Sequence, residues 1–370
     1  MRIGVPKEIK PEEFRVSMTP SGVAELVRAG HSVFVMCNAG VAVGFKDVDY
    51  EAAGATLHVT LAEIYGIAEL IVKVKEPQPD EYDLLEARHL LFTYLHLAAN
   101  RALLDVLIAK GVTAIAYETV IDEQGRLPLL KPMSEIAGRM ATQAGAHHLE
   151  MLQGGKGILL GGIPGVAPAQ VLIVGAGVVG AQAAAMAVGL GAQVTVLDKS
   201  LARLSYLDDI WRGRLVCEYA DQSRLDDLAV SADLIIGSVL NAGASAPTLL
   251  NREHLRAMGR GSVLVDVAID QGGCFASSRP TTHRYPTYIE EGVVHYCVTN
   301  IPSAVARTAT LGLTNASIGY ILRLANSGLG ALKADRLFIQ GLNTYNGALT
   351  HRAVGDAFDL NTVNAQAVLA

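Results

Sequence analysis

The chain has 370 residues, of which 51% are apolar and 18% are charged, and its formal net charge is -6. This length indicates two domains rather than one. The lack of a run of Lys and Arg excludes the electrostatic pattern of a nucleic-acid-binding protein.

The first third of the chain alternates between apolar runs and helix-forming segments. The runs RIGV, HSVFVM, LIVKVK, HLLFTYLH and VTAIAYETV predict strands, and we expect helices near residues 21–29 and 61–67. No glycine fingerprint occurs among these residues. The pattern therefore predicts an α/β domain that supplies groups for a substrate rather than for a coenzyme.

Four polar residues of this region lie in a loop or at the ends of apolar runs. Arg15 falls in an early loop, Lys75 and Glu76 end one run, and His96 ends the next. Strand ends form the rim where α/β sheets bind ligands, and cations with an imidazole suit a small carboxylate with a reducible carbon. The alternatives are a structural histidine at 96 and a solvated edge charge at 75.

The stretch 157–197 carries no charge and is long enough to suggest a membrane span. Its order argues against that interpretation, because a β-branched run at 171–174 is followed by clustered glycines, an Ala-rich stretch and a second β run at 193–197. This order predicts strand, turn, helix and strand. Parallel strands covered on both faces are uniformly apolar in this way.

The glycine cluster is GAGVVG, which matches G-x-G-x-x-G at the end of a predicted strand. Gly175 permits the tight turn, Gly177 lets the backbone approach a pyrophosphate, and Gly180 allows close packing of helix on strand. Asp198 ends the next β run, where a carboxylate binds ribose hydroxyls and repels a 2′-phosphate. The spacing predicts an NAD site; the alternative is a glycine-rich turn without a ligand.

Further β runs, LIIGSVL, SVLVDVAID and VVHYCVTN, extend this second sheet. Their ends place five residues at its rim: Val239, Leu240, Asp270, Asn300 and Ile301. Asp270 precedes Gln-Gly-Gly and is either a residue beside the nicotinamide or a turn former.

The segment 301–326 has helical spacing and returns the chain to the first domain. We therefore expect an α/β fold of two Rossmann-like, doubly wound domains. The NAD domain, 131–304, is inserted into a discontinuous substrate domain, 1–130 plus 305–370.

The scattered cysteines lack CxxC spacing, which favours reduced thiols, and the charged start MRIGVPKEIK does not resemble an export signal. We expect a cytoplasmic protein.

Over essentially its whole length the chain resembles bacterial L-alanine dehydrogenases. The motifs that carry the resemblance are MRIGVPKE, YLHLA, KPMSEIAGRMA, GAGVVG, DVAIDQGG, SRPTTH, VVHYCVTNIPSAVARTAT and LNTYNGALTH. The resemblance implies reversible, NAD-dependent deamination of L-alanine to pyruvate and ammonia by a homohexamer. The soluble part of transhydrogenase and the saccharopine dehydrogenases are more distantly similar.

The resemblance also implies roles for single residues. Arg15 and Lys75 match positions that bind the substrate carboxylate and carbonyl, His96 matches the proton donor and acceptor, and Asp270 the second catalytic residue. Ser134 matches a pyrophosphate contact. Further matches line the coenzyme: Val178, Asp198, Arg203, Val239, Leu240, Val267, Arg279, Val298 and Ile301.

The sequence departs from the family at two places. Ala220 stands where relatives often carry a coenzyme-contacting serine, which predicts the loss of that hydrogen bond. Some relatives bind magnesium through a glutamate and a histidine. This chain has the glutamate, Glu118, but Ser327 stands at the position of the histidine. We therefore expect no metal by that route.

Two other functions remain open from the sequence. A soluble transhydrogenase subunit would bind coenzyme without turning over alanine. A non-catalytic NAD sensor would keep the fold but should have lost at least one of Arg15, Lys75, His96 and Asp270, all of which are present.

Overall fold

A computed structural model describes residues 1–239 and 247–369 of the chain. Its contacts divide the chain into two compact units. Unit 1 comprises Met1–Met133 and Val305–Ala370, and unit 2 comprises Ser134–Ala304. Each unit contains one β-sheet with helices packed against it.

The strands are β1 Arg2–Val5, β2 Ser32–Met36, β3 Thr56–His58, β4 Leu70–Val72, β5 Leu90–Thr93, β6 Thr113–Ala116, β7 Gln170–Val174, β8 Gln193–Asp198, β9 Val216–Tyr219, β10 Leu234–Gly237, β11 Val263–Asp266, β12 Thr287–Glu290, β13 Val293–Tyr296, β14 Leu342–Tyr345 and β15 Ala348–Leu349. The α-helices are α1 Pro20–Arg28, α2 Asp47–Ala52, α3 Leu61–Ile67, α4 Pro79–Tyr82, α5 Arg101–Ala109, α6 Lys131–His148, α7 Val178–Gly189, α8 Leu201–Trp211, α9 Gln222–Ser231, α10 Arg252–Ala257, α11 Ala306–Ser327, α12 Gly330–Lys333, α13 Arg352–Phe358 and α14 Ala365–Leu369. Short 3₁₀ helices cover Val41–Val43, Leu97–Ala99, Tyr117–Thr119, Met151–Gln153, Ile269–Gln271, Ile301–Val305 and Phe338–Gly341.

The sheet of unit 1 has the order β15-β14-β6-β5-β4-β1-β2-β3. Strands β1 to β6 are parallel, whereas β14 pairs antiparallel with β6 and with β15. The chain winds from β1 outward to β3, then returns to the other side of β1 as β4. The direction of winding therefore reverses between β1 and β4.

The sheet of unit 2 has the order β12-β13-β11-β10-β7-β8-β9 and is parallel except for β12. Here the winding reverses between β7 and β10. Reversals of this kind define the doubly wound fold, and the expected fold class is confirmed for both units.

The central strand β7 shows why the uncharged stretch is apolar on both faces. Val171 and Ile173 pack into one core cluster, while Leu172 and Val174 pack into another. All four side chains are at most 3% exposed. The predicted order of strand, turn, helix and strand is confirmed, and no helix of the described residues is long and apolar enough to cross a membrane.

A buried charge cluster lies at the carboxyl end of β4, in the interior of the unit 1 sheet. Lys73 is fully buried, and its Nζ is 3.1 Å from Glu8 Oε2 and 2.9 Å from Glu81 Oε1. Burial disfavours the charged lysine, but the two carboxylates outweigh it, and the pKa of Lys73 is raised. Glu8 also accepts a hydrogen bond from the backbone of Val74 at 2.6 Å. The cluster therefore fixes the chain just before Lys75.

Replacing Lys73 by Met should lower the free energy of unfolding by roughly 3–5 kcal/mol, because two buried carboxylates would lose their counter-charge. Chemical denaturation followed by circular dichroism measures the change. Arg352→Met is the control, since its pair with Asp356 is 89% and 70% exposed. The control should change the unfolding energy by less than about 1 kcal/mol. Equal effects of the two substitutions would contradict the role of Lys73 as a buried counter-charge.

Candidate functional site

In unit 1 the predicted substrate residues gather at one edge of the sheet. Strands β1, β4, β5 and β6 are neighbouring and parallel, so their carboxyl ends share that edge. The segments that follow them carry Arg15, Lys75, His96 and Glu118 in turn. The edge includes the winding reversal between β1 and β4, which is the place where open α/β sheets bind ligands.

Arg15 is held rigidly by a neighbour that the sequence patterns do not indicate. Its side chain is 2% exposed, and its Nε and Nη2 donate to the two carboxylate oxygens of Glu13 at 2.7 and 2.5 Å. Nη1 lies 3.1 Å from the sulfur of Met133. Burial opposes the charge on Arg15, but Glu13 outweighs it and the guanidinium pKa is raised. The bidentate pair fixes the plane of the guanidinium.

Lys75 is buried and follows β4 by three residues. Its carbonyl accepts a hydrogen bond from Thr93 Oγ1 at 2.9 Å, and its amide is 3.4 Å from Glu8 Oε1. The backbone at Lys75 is thus tied both to β5 and to the loop after β1. A lysine anchored in this way has a fixed point from which its side chain extends.

His96 lies three residues beyond β5, and its side chain is 44% exposed. Its Nδ1 is 3.4 Å from Glu76 Oε2, while Glu76 Oε1 pairs with Lys10. Burial raises the pKa of Glu76, but His96 and Lys10 outweigh it and hold that pKa well below its usual range. The imidazole therefore has a carboxylate on its Nδ1 side, and Nε2 is the ring nitrogen that this carboxylate does not approach.

In unit 2 the glycine turn joins β7 to α7. Gly175 has φ +107°, and a Cβ at Gly180 would lie 1.7 Å from the carbonyl oxygen of Gly175. By contrast, a Cβ at Gly177 would meet nothing within 4 Å. Gly177 is the N-cap of α7, so the open space lies at a helix N-terminus. These features fit a pyrophosphate, which needs close backbone approach and a positive helix end.

Asp198 ends β8 beside this turn. Its Oδ2 accepts from the amide of Ala176 at 2.5 Å and its Oδ1 from the amide of Ser200 at 2.7 Å. Arg203 Nε donates to the carbonyl of Ala176 at 2.8 Å. An acid and a cation thus flank the glycine turn, in the place where the adenosine ribose lies in dinucleotide-binding folds.

The predicted strand before Asp270 was too long. Strand β11 ends at Asp266, and Asp270 lies on the next 3₁₀ helix as an exposed residue. The buried carboxylate of Asp266 causes this turn, because it accepts from the amides of Ala268 and Cys274 at 2.9 and 2.8 Å and from Ser278 Oγ at 2.5 Å. Asp270 nevertheless lies beyond the carboxyl end of its strand, as expected for the rim.

The other predicted coenzyme positions lie in unit 2, mainly in segments that follow its strands. Arg279 stacks on the ring of Tyr288, with its guanidinium carbon 3.9 Å from the ring centre. Leu240 lies outside the described residues. The remaining positions are Ser134 in α6, Val178 at the start of α7, Val239 after β10, Val267 after β11, and Val298, Asn300 and Ile301 after β13.

Two functional candidates could not be found from local sequence patterns. Glu13 is recognisable only from its contact with Arg15. The resemblance named Glu118 only as the place of a metal-binding glutamate, and its contact with the loop after β5 is seen only in the structure. Within residues 1–239 and 247–369 no group of three or more His, Cys, Asp or Glu side chains is arranged to hold a metal ion.

The doubly wound sheet, the glycine turn and Asp198 place unit 2 in the class of dinucleotide-binding domains. Family models extend this conclusion to the whole chain. The model "Alanine dehydrogenase/PNT, N-terminal domain" matches residues 4–137, and "Alanine dehydrogenase/PNT, C-terminal domain" matches residues 141–352. The chain belongs to the alanine dehydrogenase/PNT family, which confirms the resemblance read from its motifs.

Similar proteins agree with this assignment. An alanine dehydrogenase of Halomonas elongata is 56% identical over 370 residues, and one of Methanococcus maripaludis is 50% identical over 371 residues; both alignments cover 100% of each chain. A solved L-alanine dehydrogenase is 51% identical with a TM-score of 0.94, covering 97% of this chain and 99% of that one. A transhydrogenase from Sinorhizobium meliloti, with 24% identity, a TM-score of 0.80 and coverage of 95% and 100%, shares the fold.

Gly177→Ala should raise the dissociation constant of NADH about tenfold or more, because the new methyl group would occupy the approach of the pyrophosphate. Fluorescence titration of NADH measures the change. Gly189→Ala is the matched control, since a Cβ there also meets nothing within 4 Å and the residue lies at the far end of α7. Equal NADH affinity in both variants would place the pyrophosphate elsewhere.

Asp198→Ala should raise the preference for NADP relative to NAD about tenfold or more in kcat/KM, because the variant lacks the carboxylate that repels a 2′-phosphate. Steady-state rates with each coenzyme measure the ratio. The control is Asp209→Ala, which removes an exposed carboxylate from α8. A ratio unchanged in both variants would show that Asp198 does not contact the ribose.

Proposed function

We propose that the chain is an NAD-dependent alanine dehydrogenase, which converts L-alanine, NAD and water reversibly to pyruvate, ammonia and NADH. The observation that carries the proposal is the 56% identity to an alanine dehydrogenase over the full length of both chains. The two units support it independently. Unit 2 has the glycine turn of a dinucleotide site, and unit 1 gathers two cations and an imidazole at one sheet edge.

NAD held at the turn of Gly175, Gly177 and Gly180 would supply the acceptor for the hydride of the alanine α-carbon. Arg15 binds the substrate carboxylate, and its rigid pairing with Glu13 fixes the direction from which it does so. Lys75 polarises the oxygen that becomes the pyruvate carbonyl and stabilises negative charge that develops there. Arg15 thus contacts the carboxylate of pyruvate and Lys75 contacts its carbonyl.

The reaction also moves protons, because water must add to the α-carbon and ammonia must leave. His96 takes and gives these protons, since one ring nitrogen of an imidazole can accept a proton and the protonated ring can donate it again. Glu76 lies on the Nδ1 side of the ring, so Nε2 exchanges the proton. Asp270 is the second catalytic residue, which orients the attacking water or balances the developing positive charge.

On the coenzyme side, Gly175, Gly177 and Gly180 shape the turn that receives the pyrophosphate. Asp198 binds the adenosine ribose and selects NAD, while Arg203 lies beside the adenosine. The further coenzyme contacts are Ser134, Val178, Val239, Leu240, Val267, Asp270, Arg279, Val298, Asn300 and Ile301. No metal takes part in this assignment.

The chain is further proposed to assemble as a homohexamer in the cytoplasm. Its cysteines are free thiols, which suits a reducing compartment. The segment 151–166 of unit 2 exposes apolar side chains, including Leu152 at 95% and Met151 at 71%. Met151, Leu159 and Leu190 line one surface depression, and apolar surface of this kind is typical of contacts between subunits.

Absorbance at 340 nm with L-alanine and NAD tests the proposal directly. We expect rapid NADH formation with alanine, and slower formation or none with L-serine, glycine or L-lysine. His96→Ala should lower this rate by about 10²–10⁴-fold because it removes the proton carrier. NADH binding, measured by fluorescence, should persist in the variant.

His58→Ala is the control, because His58 lies on β3 at the far edge of the unit 1 sheet. Its rate should stay near wild type. NADH binding without alanine turnover in the wild-type chain would favour a sensor or a transhydrogenase subunit. Turnover near wild type in His96→Ala would overturn the role of the histidine.

A further inference from the structure

Glu118 makes contacts that the proposed chemistry does not use. It lies on the 3₁₀ helix that follows β6, and its carboxylate reaches the neighbouring segment after β5. Oε1 accepts from the backbone amide of His96 at 2.7 Å and from that of Leu95 at 3.1 Å. Oε2 accepts from the amide of Leu95 at 3.2 Å. One carboxylate therefore binds two successive amides.

The backbone that these amides belong to is strained. His96 has φ 49° and ψ 37°, which is the left-handed region. Residues other than glycine rarely adopt it, because their Cβ approaches a backbone carbonyl too closely. Successive amides in such a turn form a concave anion-binding site, and hydrogen bonds to a charged acceptor are stronger than neutral ones. Glu118 supplies that anion from within the chain.

The position of the imidazole depends on this turn. The side chain leaves the backbone at the strained residue itself, and Nδ1 comes to 3.4 Å from Glu76 Oε2. Glu118 restrains the backbone that carries the ring, and Glu76 lies on the Nδ1 side of the imidazole. A shift of about 1 Å in a proton-transfer group can cost on the order of a hundredfold in rate, so the restraint on the backbone bears on catalysis.

We propose that Glu118 is a positioning residue for His96, whose carboxylate holds the amides of Leu95 and His96 in the left-handed turn that aims the imidazole. The effect on rate rests on the proposed function, in which His96 carries the proton. The effect on the turn does not rest on it.

The charge of Glu118 also acts on two neighbours, so charge and geometry have to be separated. Burial lowers the pKa of His351 and the negative charge of Glu118 opposes that shift. Burial raises the pKa of Tyr94; the charge of Arg15 opposes this rise, and the charge of Glu118 adds to it. Glu118→Gln removes the charge but keeps one oxygen that can accept from an amide. Glu118→Ala removes both.

Asp122 provides a matched control four residues further along the chain. Its Oδ1 accepts from the amides of Gln124 and Arg126, each at 2.9 Å. Asp122→Ala therefore also removes a carboxylate that binds two amides, but it leaves the turn at His96 intact. Asp122→Asn is the corresponding control for Glu118→Gln.

Hydrogen exchange measured by mass spectrometry tests the geometry without any assay of activity. In Glu118→Ala the amides of Leu95 and His96 should exchange about tenfold faster or more, because they lose their acceptor. Glu118→Gln should show a smaller increase, and the Asp122 variants no change at this segment. Unchanged exchange at Leu95 and His96 in the Glu118 variants overturns the proposal.

Kinetics then test the consequence for catalysis. Glu118→Ala should lower kcat for alanine about tenfold or more, and Glu118→Gln should lose less, with the affinity for NADH near wild type. The solvent deuterium isotope effect on kcat should rise, because proton transfer by a displaced imidazole becomes slower. A loss confined to thermal stability would not raise it.

The outcomes separate the two proposals. Faster exchange in Glu118→Ala without alanine turnover in the wild-type chain overturns the proposed function and supports the positioning of the turn. Alanine turnover by the wild-type chain, with faster exchange but an unchanged kcat in Glu118→Ala, overturns the catalytic part of this inference. If Glu118→Ala fails to fold, amide exchange and kcat are compared between Glu118→Gln and Asp122→Asn. The expected changes are smaller, but they distinguish the same outcomes.

Discussion

The constraint on which both units depend is the reversal of winding in a parallel sheet. Because every parallel strand leads its chain to the same edge, the loops after β1 and β4 in unit 1 start side by side and then diverge. The same holds for β7 and β10 in unit 2. A gap opens wherever the loops part, and polar side chains there reach a ligand without disturbing the apolar interior. The two units thus share the same winding reversal, which places the candidate substrate residues in unit 1 and the candidate coenzyme residues in unit 2.

Buried carboxylates fix loops that follow the parallel strands of both units. Glu8 binds both Lys73 and the amide of Val74, and Asp266 binds amides on the turn that leads to Asp270. Burying such charges is costly unless every oxygen has a partner. Glu8 meets that condition through Lys73 and the amide of Val74. Asp266 meets it through two amides, and in both cases the bond to the backbone also fixes the path of the loop. Stability and orientation at the candidate site therefore come from the same contacts.

The sequence predicts the sheets better than it predicts the loops. Strand β7 and helix α7 follow from local pattern, since a short apolar run and a glycine turn leave a signature within a few residues. The end of β11 does not, because Asp266 turns the chain through contacts as far as Ser278. Glu118 meets His96 across 22 residues, and the left-handed backbone of His96 has no marker in its sequence. The position of Arg15, Lys75 and His96 at one end of the sheet follows from the strand ends, whereas their separate roles come only from the resemblance.

The proposed reaction passes a hydride directly from the α-carbon of alanine to NAD. It is tested most directly by incubating the protein with NAD and L-alanine that carries deuterium at the α-carbon. We expect NADH that carries this deuterium on its nicotinamide ring, formed in equal amount with pyruvate. NADH without the label, or pyruvate formed without NADH, would contradict direct transfer.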